Sequence, residues 1–336
     1  MRHMWKGACS LGVVLCFGVA CGGDASPEQP QIVEGGPAET QSDDEVASAV
    51  FAQEEALFMK TRSSIWKAII VLDEAGDLVF FSEEPFYEHS GEIGSMAMMG
   101  DRSGVLFTAD APGAEWTDAL YFLSADGGAP VRLIEPVQTD ADAASMSVED
   151  SVGGLDAPIV VSIREVNGDD SDLSGWNIVP AVYRDGQLDV KTARCPITKE
   201  IRVNRVTGEL VAHEVYCDGN PEQNFITYYP DLEFENGVEL FSEQESRDGL
   251  FAIFGLSWTR DNQVFLSGLD GTLEFNPARP GAMVSYSQKS AGRFGAGLYQ
   301  GHVLMARGSD LYLADYQRQE FWKVSEDVAV FPDPVW

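Results

Sequence analysis

Histidines, a cysteine pair and regularly spaced acids are the residue types here that could do chemistry. Each has a structural use that competes with a chemical one. His213 sits in the apolar run LVAHEVY and His302 in GLYQGHVLMARG, both readable as strand positions, while His89 follows Tyr87 and Glu88 in an apparent exposed loop. The HExxH, GxSxG and phosphate-loop patterns are absent from the sequence, so no histidine carries a recognisable metal or triad role. Asp170-x-Asp172-x-Ser174-Gly175 has the alternating oxygen ligands and the glycine of a calcium loop. Ala181 stands where the closing bidentate Glu would be, and a solvated acidic loop explains the same residues. Calcium is the one cofactor this pattern suggests. Paired carboxylates for glycoside hydrolysis cannot be chosen among 54 acids without a fold. Trp176, Trp258 and Trp322 are candidates for a sugar- or peptide-binding face, or for packing.

Of five cysteines, Cys9 and Cys16 lie in an apolar leader and Cys21 directly follows it, leaving Cys195 and Cys217. With a turn at Thr207-Gly208 flanked by Val206 and Glu209, position 217 faces position 198, three residues from Cys195, and Pro196 supplies a bend. A Cys195–Cys217 disulfide is expected in an exported chain. The rival, a metal held by Cys217 and His213, lacks two further ligands.

The elements that would position these residues are hairpins. In LYFLSADGGAPVRLI (Leu120–Ile134) an apolar aromatic strand meets Asp126-Gly127-Gly128, residues that tolerate positive φ, and a second strand follows. Looser copies turn near residues 75, 186, 208, 270 and 317. From Ser63 onward no stretch of about fifteen residues shows helical spacing, and strands separated by turns indicate an all-β domain. At about 45 residues per four-stranded blade, the span to Trp336 holds about six blades of a β-propeller. Leu57–Ile70 and Phe321–Phe331 are the partners for closing the ring that a resemblance to propellers implies.

SADGGAPVRLI resembles the outer hairpin of blades in TolB-type propellers, and SWTRDNQVFLSG (Ser257–Gly268) resembles the inner part of such blades. The resemblance implies the fold and carries no catalytic residue with it.

Arg2 and Lys6 precede an apolar run of about ten residues, too short to span a bilayer of about 30 Å and suited to a secretory signal. Gly18-Val19-Ala20 before Cys21 resembles the lipobox of bacterial lipoproteins, although Gly18 stands where a large aliphatic is usual. Residues 1–20 are therefore expected to be a lipoprotein signal peptide, with Cys21 bearing diacylglyceryl and palmitate-type chains and the chain held at a bacterial membrane; the alternative is a plain secreted protein with a free amino-terminal Cys21. Residues 21–44, rich in Pro, Gly, Glu and Ser, are expected to be a disordered tether, and 45–336 the propeller domain.

The formal charge of −32, from 54 acids against 22 bases, repels phosphate backbones and excludes a nucleic-acid partner. The expectation is a membrane-anchored binding or scaffold module for an envelope protein or glycan. The alternative is an envelope polysaccharide hydrolase or lyase using carboxylates in the ring's channel.

Overall fold

The computed structural model describes residues 31–34, 55–60, 62–72, 78–81, 85–110, 118–137, 143–167, 176–217, 224–242, 253–258, 262–268, 271–277, 279, 282–286, 293–297, 302–307, 310–315, 320–325 and 333–335. β1 (Gln31–Glu34) precedes a first antiparallel group of β2 (Glu55–Lys60), β3 (Ser64–Leu72) and β4 (Leu78–Phe81), with β5 (Tyr87–Glu88) on the end of β3. β6 (Ile93–Met98), β7 (Gly104–Asp110), β8 (Asp118–Ser124) and β9 (Val131–Ile134) form a four-stranded meander. So do β10 (Ala143–Ser151), β11 (Ile159–Val166), β12 (Trp176–Arg184) and β13 (Gln187–Val190), then β14 (Ile197–Val203), β15 (Leu210–Val215), β16 (Asn224–Tyr229) and β17 (Val238–Ser242). The last two are β18 (Ile253–Trp258), β19 (Val264–Gly268), β20 (Gly271–Phe275) and β21 (Ala282–Tyr286), and β22 (Arg293–Gly297), β23 (His302–Arg307), β24 (Asp310–Asp315) and β25 (Glu320–Ser325).

A final strand, β26 (Asp333–Val335), returns to pair with β2, Phe58 opposite Val335 and Lys60 opposite Asp333. The first strands β6, β10, β14, β18 and β22 adjoin one another in that order, and β26 touches both β22 and β6. Radial sheets whose innermost strands close a ring make a β-propeller, as the hairpin pattern predicts. Closure differs from expectation in one respect. Phe321–Ser325 belongs to β25, paired with β24, and the closing strand lies further on at Asp333–Val335. Pro334 fits there because an innermost strand has no neighbour on its channel side and needs no second donor.

The packing explains why strands such as LYFL read as unbroken apolar runs. Leu106, Leu120 and Phe122 pack with Met146, Val148, Ile159 and Val161 of the following meander. Their sequence neighbours Val105, Phe107, Tyr121 and Leu123 pack with Phe58 and Ile65 of the preceding group. Likewise Leu210 and Ala212 face Val160 and Val182, while Val211 faces Leu256 and Val264. Successive side chains point to opposite faces, and here both faces are covered.

The hairpins are set by turn chemistry. Asp185 (φ 54°) and Gly186 (φ 76°) form the two-residue connection between Arg184 and Gln187, the left-handed pair that matches strand twist. The other hairpins do not hold equivalent places. β8–β9, β12–β13 and β24–β25 are outer pairs, whereas β14–β15 is an inner pair and β19–β20 a middle one. Their uneven spacing in the sequence follows from that.

Gln31–Glu34, inside the stretch read as a tether, runs parallel to β21 with Gln31 opposite Ala282. Ile32 and Val33 are β-branched, and the outer edge of β21 offers unpaired backbone groups. The rest of residues 21–44, and residues 1–20, lie outside the described residues.

Charged groups join three innermost strands near the axis. Arg202 on β14 donates to Glu200 Oε1 at 2.7 Å, to the Glu149 carbonyl of β10 at 3.3 Å and to the Leu256 carbonyl of β18 at 3.2 Å. Glu149 Oε2 accepts from Ile201 N at 3.3 Å, and Leu256 N donates to Glu200 Oε2 at 3.2 Å. Burial pushes the Glu149 carboxyl up to about 7, against the opposing pull of Arg202. His213 moves the other way, down to about 3, through burial and then the charge of Lys199.

These shifts have opposite signs in stability. Glu149 binds its proton more tightly when folded, so its contribution is complete below the ordinary carboxylate value and is lost as pH rises through 7. His213 contributes above its ordinary value of 6.5 and loses that contribution as pH falls. Most of the Glu149 loss, roughly 3 kcal/mol for the whole shift, falls between the ordinary carboxylate value and pH 6.5, where His213 opposes it, and the last part, on the order of 1 kcal/mol, falls unopposed between pH 6.5 and 8. Glu149→Gln is expected to raise the urea midpoint at pH 8 and to flatten its dependence over this window. A slope that survives the substitution would locate the titration elsewhere. A second expectation concerns closure. Deleting residues 333–336 should lower the single thermal transition of the whole domain by several degrees, and an unchanged midpoint would show that β26 does not hold the ring.

Candidate ligand-binding cleft

Cys195 and Cys217 form a disulfide, with Cα atoms 4.6 Å apart. The register shows how. β14 and β15 join through the loop Asn204–Glu209, longer than the turn read from the sequence, with Val203 opposite Leu210. Asn204 Oδ1 accepts from Val206 N at 2.9 Å and Thr207 N at 3.3 Å, an Asx turn, and Gly208 takes φ 77°. A bulge at Lys199 then shifts the pairing, so that Thr198 faces Glu214 and Ile197 faces Val215. Continued two residues further, that register sets Cys195 against Cys217. The bond also excludes the Cys217–His213 metal pair.

The segment ahead of Cys195 is an arch. β13 covers β12 only from Ala181 to Arg184. Lys191 N still donates to the Pro180 carbonyl at 2.8 Å, but the chain then leaves the edge and returns where Ile178 N donates to the Pro196 carbonyl at 2.8 Å. Ile178 and Ile197 form a parallel bridge that makes the third and fourth meanders one eight-stranded sheet. Between these two attachments lies a cleft of about 530 Å³, with Val137, Ile163 and Val179 as apolar lining and Glu165, Asn177, Lys191, Thr192 and Arg194 as polar lining.

The next meander holds the arch in place. Arg194 N donates to Glu214 Oε1 at 3.1 Å, and Glu214, completely buried, also accepts from Tyr229 Oη at 2.9 Å and Thr227 Oγ1 at 2.5 Å. Burial and then the Glu214 charge push the Tyr229 phenol up, so it stays a donor. The Arg194 guanidinium stacks on Phe225 at 4.1 Å and pairs with Glu239 at 2.8 Å. Lys191 pairs with Asp189 at 2.6 Å and with Glu233, and these two carboxylates raise its pKa. A cleft wall fixed this firmly is preorganised for binding. Among its described lining there is one carboxylate, Glu165, and no nucleophile–base pair.

The other residues singled out from the sequence are scattered. His213 is buried in β15, opposite Glu200 and Ile226. His302 opens β23 opposite Asp315. His89, expected in an exposed loop, is instead half-buried, its Nδ1 3.1 Å from Tyr87 Oη and its Nε2 3.2 Å from the Asp110 carbonyl. Its neighbours come from β5 and β7, a proximity invisible in the sequence. Trp258 donates to the Arg202 carbonyl at 2.9 Å and packs between meanders, while Trp176 lies under the Arg164 guanidinium at 3.8 Å. Trp322, in β25, pairs with Leu313. Cys21 and the calcium candidates Asp170, Asp172 and Ser174 lie outside the described residues. Among the described residues, no group of three His, Cys, Asp or Glu could hold a metal ion. Glu214, Tyr229 and Arg194 were not anticipated, since no motif links them; the Arg-Cys-Pro sequence at 194–196 was the only local cue.

No protein-family model matches the sequence, and no curated protein matches it. Solved structures do. The chain superposes on a protein of the nidogen/laminin complex with a TM-score of 0.57 at 14% identity, covering 83% of this chain and 97% of that one. Hydrazine synthase of Kuenenia stuttgartiensis gives 0.58 at 11% identity over 90% of this chain and 50% of the other. TolB from Acinetobacter baumannii gives 0.52 at 13% identity over 87% and 70%. At these identities the likeness establishes the fold: the chain is a β-propeller.

The disulfide closes a loop spanning 22 residues, which in the chain-entropy model contributes about 3 kcal/mol. Cys195→Ser with Cys217→Ser is expected to lose about that much stability. It should also raise amide exchange at residues 191–196. Unchanged exchange there would mean that the Glu214 and Glu239 contacts suffice to hold the arch.

Proposed function

We propose that this chain is an exported, membrane-anchored β-propeller lipoprotein that binds a protein or glycan of the cell envelope. The observation that carries this reading is the preorganised cleft beside a disulfide-stapled arch. A disulfide favours an oxidising compartment, which supports export. The leader and Cys21 then supply the anchor, residues 21–44 the connection to the membrane, and 45–336 the propeller, each meander being one of six blades. A superposable propeller in a nidogen/laminin complex and another in TolB are in keeping with a protein-binding role.

The polysaccharide hydrolase or lyase reading needs two carboxylates facing one substrate. The described cleft lining holds only Glu165, and Glu149 and Glu200 are engaged with backbone amides and Arg202. Binding is thus the better-supported function.

Two measurements test it together. The intact mass of protein extracted from its native membrane should correspond to a chain starting at Cys21 with a diacylglyceryl-sized addition. Cross-linking in intact cells should then recover one reproducible envelope partner. An unmodified chain free of the membrane fraction would overturn the anchor, and turnover of envelope glycans by the purified protein would overturn the binding role.

A further inference from the structure

We propose that Asn236-Gly237 is a site of spontaneous covalent modification, deamidating to isoaspartate, and that the product loosens the 191–196 arch. The inference stands apart from the binding-module reading.

The chemistry needs water and no other reagent. The backbone nitrogen of Gly237 attacks Asn236 Cγ, the side-chain nitrogen leaves as ammonia with the proton that the attacking nitrogen gives up, and a five-membered succinimide forms. Water then opens the ring at either carbonyl. One opening gives aspartate, the other isoaspartate, in which Cβ and Cγ have become part of the main chain. A following glycine favours the attack, because no Cβ crowds its nitrogen.

The connection between β16 and β17 presents this pair to solvent. Leu232 and Phe234 are buried with Val160, Val182 and Tyr229, while Glu235, Asn236 and Gly237 are exposed. Phe234 (φ 58°) and Asn236 (φ 56°) both take the left-handed backbone. Asn tolerates that region, whereas a bulky Phe is held in it by its burial, so the tip is a strained segment pinned from one side.

Gly237 transmits the change. A Cβ there would lie 2.6 Å from Tyr229 Cε1 and 2.8 Å from Thr227 Cγ2, so Gly237 has no room to move inward. One methylene added to the main chain just before it must displace either Gly237 or the side chains beneath. Tyr229 and Thr227 are two of the three donors to Glu214, and the third is Arg194 N of the arch. Displacing them frees the carboxylate that fixes the arch and leaves the disulfide and Glu239 to hold it.

The test ages the full chain, disulfide intact, in mildly acidic and in mildly alkaline buffer. Peptide mapping with isoaspartyl methyltransferase labelling then separates residue 236 from the other Asn-Gly pair of the sequence, Asn167-Gly168. Isoaspartate should accumulate at 236, and faster in alkaline buffer, because the attacking nitrogen must lose its proton. Amide exchange at 191–196 should rise severalfold in the aged chain. Asn236→Gly keeps the left-handed backbone and removes the amide, so it should age without that rise. Freshly made Asn236→Asp adds the charge without the methylene and should exchange as fresh wild type does. Near-UV circular dichroism checks the fold of each variant. An intact Asn236 after ageing would overturn the site. Unchanged exchange in the aged wild type, an equal rise in aged Asn236→Gly, or a rise already present in fresh Asn236→Asp would each overturn the link to the arch.

Discussion

Two-sided burial is the constraint on which this structure depends. Where side chains are described, the sheets bury apolar residues on both faces, as Leu120 and Phe122 on one side and Tyr121 and Leu123 on the other illustrate. A sheet of this kind is unstable alone, because at roughly 25 cal/mol per Å² either exposed face forfeits several kcal/mol. A neighbour on each side solves the problem for every sheet except the first and the last. Those two are satisfied only by bringing the ends of the row together, which is what β26 accomplishes against β2.

Much of this was legible in the residues. The Asp-Gly and Gly-Gly turns fixed hairpin positions because few residues tolerate positive φ, and Asp185-Gly186 adopts the expected pair. Even the likeness of SADGGAPVRLI to an outer hairpin and of SWTRDNQVFLSG to an inner one holds, in β8–β9 and β18–β19. What failed was anything dependent on a single residue of register. The Cys195–Cys217 bridge is present as expected, but its register was not: the longer loop Asn204–Glu209 moves the pairing by two residues and the bulge at Lys199 by one more, and together they set Cys195 rather than Thr198 against Cys217. The closing strand was missed because Asp333-Pro334-Val335 is short and contains a proline, and only a place beside the channel makes that proline acceptable.

The cleft was illegible for a different reason. Its lining comes from β11, β12, the residues after β9 and the arch, and its rigidity comes from Glu214, Phe225 and Glu239 on the following meander. None of these residues forms a motif, and each alone reads as an ordinary strand or surface position. Glu214 shows the logic best. A carboxylate with no exposure is costly unless several donors surround it, and three donors from two separate segments, the arch and β16, do so.

The pairing of Phe58 with Val335 also has a meaning in time. A chain emerging from the ribosome presents β2 long before β26, so β2 lacks its inner neighbour while all the intervening meanders are made. During that interval Phe58, buried in the finished structure, is an adhesive surface. Meanders in the middle, which find their neighbours within a few dozen residues, can assemble early, but the ring as a whole cannot close before β26 has emerged. Such a molecule is made with its seam open, and whatever handles the nascent chain meets that seam first.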